Sequence, residues 1–281
     1  MNKSARNAQI GRALAFLLLL AGAVLFMAPM YQMLTMALKP ASEIQTSGAW
    51  AWPTRPTFDN FAKVATDPEI SFLVFFRNTA VIAVLSTLGT TLTAAAAAFA
   101  FARLKFRCRD RLFVILLSTM MLPGFVTIIP SYILFAKLGW VNTNLPLWVP
   151  AWLGGGAFNV FLLRQFFMGL PRELDEAARL DGASNQTIFW RIALPLSGPA
   201  LATVGVFTFV GSWTDFMGPL IYLNDRDQQT LEMGLRTFQT LQGTQWHLLM
   251  AASMLVLLPI VVIFLLAQKA FVRGISLTGG K

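Results

Sequence analysis

The sequence predicts an all-α integral membrane protein with six transmembrane helices, from three observations: its composition, six apolar blocks of spanning length, and basic residues gathered in the gaps between them. Hydrophobic residues make up 56% of the 281 and charged residues 12%, a balance too apolar for a soluble domain of this size. A helix needs about 20 apolar residues to cross about 30 Å of hydrocarbon. Blocks of that length fall at 13–38, 72–101, 112–135, 145–167, 198–223 and 248–271. They read as helices, because lipid offers no partner to an unpaired backbone group.

The first block is far longer than the roughly 7 to 15 apolar residues of a signal peptide, although Ala21, Gly22 and Ala23 resemble a cleavage site. It reads as a retained anchor. The domain then runs over 13–271, between an N-terminal segment 1–12 and a tail 272–281.

Most of the 22 Lys and Arg fall on one side of this arrangement. Lys3, Arg6 and Arg12, the run Arg103, Lys105, Arg107, Arg109 and Arg111, the group Arg164, Arg172, Arg179 and Arg191, and Lys269, Arg273 and Lys281 alternate with a sparser set at Lys39, Arg55, Lys63, Arg77, Lys137, Arg226 and Arg236. The positive-inside rule places both termini in the cytoplasm, and the net charge of +9 then reflects orientation and implies no nucleic-acid partner. Trp50, Trp52, Trp140 and Trp246 lie near outer span ends, where an aromatic belt is expected.

Pro29, Pro123, Pro130, Gly154–Gly156, Gly211, Gly218, Pro219 and Pro259 interrupt the blocks, so the helices are expected to bend and pack as a bundle. Residues 94–98 are all Ala and follow Thr90, Thr91 and Thr93, a small-residue face that admits another helix closely. The stretch 39–71 is expected along the outer membrane surface. One Cys, Cys108, and one His, His247, make no disulfide or ordinary metal site. The glycines of the tail are misplaced for a phosphate loop and no Ser or Thr follows Lys281, so no catalytic residue and no cofactor is assigned to this chain.

The segment 168–197, between the fourth and fifth spans, is long for a plain connection. Pro171 suits a first helical turn, Glu173, Asp175 and Glu176 suit the positive end of the helix dipole, and Arg179 falls late. Gly182 suits the C-terminal cap. A second short helix follows, with Ser184 as N-cap and a break at Pro195.

Within this segment stand Glu176, Ala177, Ala178, then Gly182, then Ile192, then Leu194 and Pro195. The pattern resembles, in every element and spacing, the signature of permease subunits of binding-protein-dependent ABC importers. Residues 211–216, 219–222 and 271–274 are similar to the second permease of maltose-type sugar importers. The resemblance implies a type I importer permease fold in a bacterial or archaeal cytoplasmic membrane, and a loop that is a coupling helix seated on an ATPase. The implied partners are a second permease, an ATPase dimer holding ATP and Mg, an extracytoplasmic solute-binding protein and membrane lipid. The residue chemistry agrees: the two alanines clear bulk for entry into a groove, Glu176 offers a charge, and Gly182 permits a sharp turn.

Asp215 is the only acid inside a predicted span, where a charge costs about 2.5 to 3.5 kcal/mol at the membrane centre. Trp213, Thr214 and Asp215 are candidates for the translocation path. The equal alternative makes Asp215 a hydrogen-bond anchor beside the break at Gly218 and Pro219. Asn159 and Gln165 suit helix packing. Other cargo, such as glycerol phosphate or a peptide, fits the same machine, whereas an ion-coupled carrier or membrane enzyme would require more intramembrane acids or histidines than this sequence holds.

Overall fold

A computed structural model describes residues 3–240 and 243–278, and the ends of the two terminal segments, including Lys281, lie outside them. Among the described residues, four helices are long and apolar enough to cross a membrane: Gly11–Ala37, Phe72–Arg103, Leu145–Gly169 and Trp246–Gln268. Two bent pairs qualify jointly, Arg109–Met121 with Gly124–Lys137 at 99° and Asn185–Leu196 with Gly198–Trp213 at 78°, and taking each as one span gives six.

The chain divides into two compact units, Met1–Phe72 with Leu235–Leu258 and Leu73–Gly234 with Pro259–Lys281. In the first, α1 (Lys3–Ala37) is followed by α2 (Asp59–Thr66). Asn60 of α2 donates its amide to the carbonyls of Ala37 (2.7 Å) and Lys39 (2.8 Å), closing the open C-terminal end of α1. Lys39 is fully buried and donates to the Gly48 carbonyl at 2.8 Å. Glu43 accepts from the Thr54 N–H and hydroxyl. The stretch 39–71 is therefore a folded cap on α1, with Trp52 stacked on Tyr31.

The second unit contains α3 (Phe72–Arg103, from Leu73 onward), α4 (Arg109–Ser118), α5 (Gly124–Lys137), α6 (Leu145–Trp148) and α7 (Ala157–Gly169). The block expected at 112–135 is not one rod. Leu122 takes an extended ψ of 119° ahead of Pro123, as the steric demand of proline requires, and the chain turns there. Pro29, Pro130 and Pro259 stay inside continuous helices.

The 168–197 segment holds α8 (Glu173–Leu180), α9 (Asn185–Ile188) and α10 (Leu194–Leu196); α11 (Gly198–Trp213) and α12 (Met217–Tyr222) follow, then α13 (Leu231–Gly234), two short antiparallel strands, β1 (Gln239–Thr240) and β2 (Gly243–Thr244), and α14 (Trp246–Thr278). The block expected at 198–223 is also broken, ending at Trp213 and restarting at Met217. The tail expected from 272 is helical as far as Thr278.

Contacts inside the second unit fix the direction of four crossings. At the start of α3, Asn78 donates to the carbonyls of Asp227 (2.8 Å) and Gln229 (3.0 Å), and Thr79 accepts from the Leu231 N–H. At its finish, Arg103 bonds to the end of α7 and to α8. The 24 steps from Thr79 to Arg103, at 1.5 Å each, separate these contacts by about 36 Å. Asn142 joins the first end, bonded to Tyr222, Asn224 and Asp225. The chain thus runs down α3, back along α4 and α5, down α6 and α7, and back along α9 to α12, leaving the basic loops 103–111 and 164–191 at one end, as the orientation rule demands.

The small-residue face predicted at 94–98 forms the core. Ala94, Ala95 and Ala98 are fully buried against Val160, Leu163 and Phe167 of α7, with Ile188, Phe189, Ala200 and Val204 completing the cluster. At Gly155, φ is +69° and the chain passes so near α3 that a Cβ would fall 2.5 Å from Ala94 Cβ and 2.7 Å from the Thr90 carbonyl.

Candidate functional site

The segment predicted to carry function is a capped helix, a sharp turn and a second, irregular helix. Glu173, Asp175 and Glu176 occupy the first turn of α8 and Arg179 its last, the charge order that the helix dipole favours. Pro171 stands two residues before the helix rather than in its first turn. Leu170 is held extended (ψ 144°) by the proline that follows, and Arg172, already at helical dihedrals, is the N-cap whose carbonyl accepts the first helical bond from the Glu176 N–H.

At the C-terminal end, the Ala183 N–H bonds to Ala178 O (2.9 Å) and the Gly182 N–H to Arg179 O (3.0 Å). These are the two bonds of a Schellman cap, with Gly182 at φ +80°. Ser184 caps the next helix as predicted, its hydroxyl accepting from the Thr187 N–H at 3.2 Å. Pro195 does not break that helix. A π-helical turn, Phe189–Ala193, absorbs the misfit, the Leu194 N–H reaching back five residues to Phe189, and the bend comes at Ser197.

α8 presents two faces. Glu176, Ala177 and Gly182 are exposed, as is Pro195, and Leu180 is 90% exposed. On the inner face Asp175 is buried, and Ala178 and Ala183 pack against the core cluster. Ile192 and Leu194 are half-buried, Leu194 against the same cluster. The smallness of Ala178 thus serves packing onto the chain's own core, which corrects the expectation that both alanines clear bulk on the outer face.

Arg103, read in the sequence as an orientation charge, is only 5% exposed in its side chain. Its guanidinium donates to the carbonyl of Phe167 from Nε (3.0 Å) and Nη2 (2.6 Å), to that of Leu170 from Nη2 (2.6 Å), and to Asp175 Oδ2 from Nη1 (3.2 Å). Arg164 sits 4.1 Å over the Phe113 ring. Neither arginine differs by local pattern from its solvated neighbours, so the sequence did not single them out. Leu180 was legible: Glu173, Glu176, Ala177 and Leu180 share one helical face, and a lone large apolar residue ends it.

The intramembrane candidates separate. Trp213 is 2% exposed, edge-on to Phe76 and stacked on Phe209 at 5.2 Å. Its ring is packed in the chain's own core, on the inner side of α11. Thr214 is exposed, its hydroxyl donating to Val210 O. Asp215 is half-buried and accepts from the Gly218 N–H at 3.1 Å, so it anchors the restart of the chain at α12. Asn159 donates to Gly155 O, four residues back, a bond within its own segment.

Residues 89–277 match the family described as binding-protein-dependent transport system inner membrane component, and the chain belongs to it. It is therefore a permease component of such a transport system. The trehalose/maltose transport system permease protein MalG of Thermococcus litoralis is 34% identical over 223 residues, covering 79% of this chain and 80% of that protein. The sn-glycerol-3-phosphate transport system permease protein UgpE of Yersinia pestis is 33% identical over 265 residues, covering 92% and 94%. Among solved structures, a chain of a bacterial ABC transporter involved in import of the acidic polysaccharide alginate superposes with a TM-score of 0.82 at 21% identity, covering 96% of this chain and 99% of that one. The fold is that of an ABC importer permease.

Proposed function

We propose that this chain forms half of the translocation path of an ATP-driven importer for a sugar or oligosaccharide, and that α8 is the helix through which an ATPase subunit drives it. The observation that carries the coupling reading is the two-faced build of α8. One side is fastened to the chain's own core, and the other offers Glu176, Ala177 and a bare Leu180 to a partner groove. Leu180, left 90% exposed at the end of that face, supplies an apolar anchor for such a groove.

On this reading Ile192, Leu194 and Pro195 set the rigid second helix behind Gly182. ATP and Mg bind the ATPase dimer. A second permease completes the path, a solute-binding protein docks at the Asn142 end, and the assembly lies in the cytoplasmic membrane. Closure of the ATPases moves the two permeases between inward and outward states. A saccharide cargo is supported by the maltose-type relative, and sn-glycerol 3-phosphate, supported by the UgpE relative, is the second reading.

Cysteine at Leu180 in the assembled importer is expected to crosslink to the ATPase subunit. Absence of any crosslink in an active complex overturns the coupling reading. Uptake assays with the cognate binding protein and labelled maltose, trehalose or sn-glycerol 3-phosphate decide the cargo.

A further inference from the structure

Arg103 gathers three elements onto one guanidinium. It is the last residue of α3, it occupies the final carbonyls of α7 at Phe167 and Leu170, and it pairs with Asp175 in the first turn of α8. The Phe167 carbonyl also accepts from the Leu170 N–H at a long 3.3 Å, and a cation at a helix C-terminus answers both the remaining hydrogen-bonding capacity there and the helix dipole. One planar fork thus satisfies the end of α7 while holding α8, a division of contacts that a lysine ammonium does not reproduce.

α8 is only eight residues, about 12 Å long, and a helix of that length takes its order from its attachments. Its inner-face attachments are small: Ala178 against the core and the Asp175 carboxylate on Arg103. Asp175 is buried while its neighbours Leu174 and Glu176 are exposed. The side chains of the pair are 5% and 11% exposed, so water neither screens the attraction nor replaces a lost partner.

The other end of α3 is tied as well, through Asn78 and Thr79 to the 227–231 connection. A displacement of α8 that Arg103 passes to α3 is carried along one continuous helix to the opposite end of the unit.

We propose that Arg103 and Asp175 are positioning residues for energy coupling: the pair pins α8 to α3, so that movement imposed on α8 shifts the transmembrane bundle instead of tilting α8 alone. This rests on the reading of α8 as the ATPase contact, and deepens it by naming the internal side of the transmission.

The test uses the complete importer, with its second permease, ATPases and binding protein, in proteoliposomes. Asp175→Asn keeps size and a carbonyl acceptor but removes the charge. Arg103→Lys keeps the charge but loses the fork. For either variant the expected result is retained assembly and basal ATP hydrolysis, with the number of substrate molecules imported per ATP lowered about fivefold or more. Asp175→Glu is expected to recover most of that ratio. A Leu180→Cys crosslink to the ATPase, made in the same backgrounds, separates the two proposals. Crosslinking retained with the ratio unchanged in Asp175→Asn overturns the pin and leaves the docking helix standing. Crosslinking absent in the otherwise wild-type complex overturns the docking helix itself. If Asp175→Asn fails to assemble, Arg103→Lys supplies the same reading, with an unchanged ratio as the overturning result.

Discussion

The N–H of Ala183 returns to the carbonyl of Ala178 at 2.9 Å, and the chain can close that bond only because Gly182, between them, stands at φ +80°. A Cβ at Gly182 would meet nothing within 4 Å, so substitution there tests backbone conformation free of steric clash. Gly182→Ala is expected to weaken the turn by about 1–2 kcal/mol, the left-handed penalty for an ordinary residue. Gly182→Asn is expected to lose less, because Asn visits that region more readily. Amide hydrogen exchange at 181–185 checks the turn. Import per ATP checks its consequence, with Ala the worse of the two and a β-branched residue worse still.

Leu180 makes the opposite case. At 90% exposure it supports little within its own chain. Leu180→Ala is expected to leave thermal stability of the isolated permease pair unchanged, within about 0.5 kcal/mol. Docked in a groove, the same side chain contributes about 1.5–3 kcal/mol of apolar burial. Titration of detached ATPase onto the permease pair should show about tenfold or more weaker binding for the variant. Equal affinity would place the contact elsewhere on the segment.

Gly155 and Gly156 both hold positive φ, but only Gly155 lies against α3. A methyl at Gly155 would press on the Ala94 and Thr90 backbone, which has no side chain to swing away, whereas one at Gly156 meets only Asn159 Nδ2 at an ordinary 3.7 Å. Both alanine variants carry the backbone penalty, and Gly155→Ala adds an overpacking cost of about 1–3 kcal/mol. Detergent-solubilised Gly155→Ala is expected to melt several degrees below Gly156→Ala when followed by fluorescence-detected size exclusion.

What the sequence made legible, and what it hid, divides by the range of the interaction. The 94–98 interface, the Ser184 cap and the Gly182 turn rest on local pattern and are present in the fold, whereas the blocks read at 112–135 and 198–223 are broken. The bend at Pro123, the π turn ahead of Pro195 and the restart at Met217 are local too, but a proline marks only that a helix must adjust. Whether it kinks, widens by one residue or continues depends on neighbours supplying the missing bonds. The pairing of Arg103 with Asp175 spans 72 residues and depends on α3 and α7 ending at the same level, which no spacing along the chain encodes. The burial of Trp213 likewise follows from Phe76, far away in sequence.

Glu232, on the loop between the fifth and sixth spans, has its carboxyl raised above the usual range by burial. A carboxyl that holds its proton more tightly folded than unfolded favours the fold most below its unfolded value, and that contribution is lost as pH rises through the folded value. Glu232→Gln keeps the shape without the charge. It is expected to melt higher than the wild type at pH 7 to 8 and to equal it near pH 4, so melting curves across that interval should converge in acid.

The break between α11 and α12 supplies a decisive comparison among three consecutive residues. Trp213 is sealed between Phe76 and Phe209, Thr214 is exposed, and Asp215 holds the Gly218 N–H with one carboxylate oxygen. Cysteine at Thr214 should react with a water-soluble thiol reagent in one transport state and be shielded in the other, whereas cysteine at Trp213 should stay unreactive in both. Asp215→Asn retains an oxygen for Gly218 and is expected to keep the fold, whereas Asp215→Ala strands that N–H and is expected to destabilise by about 1–3 kcal/mol. If Asp215 also meets cargo, Asp215→Asn will raise the substrate concentration for half-maximal import while the melting temperature holds. A variant altered in neither respect assigns Asp215 to the anchor alone and moves the search for the path to Thr214 and the exposed side of α11.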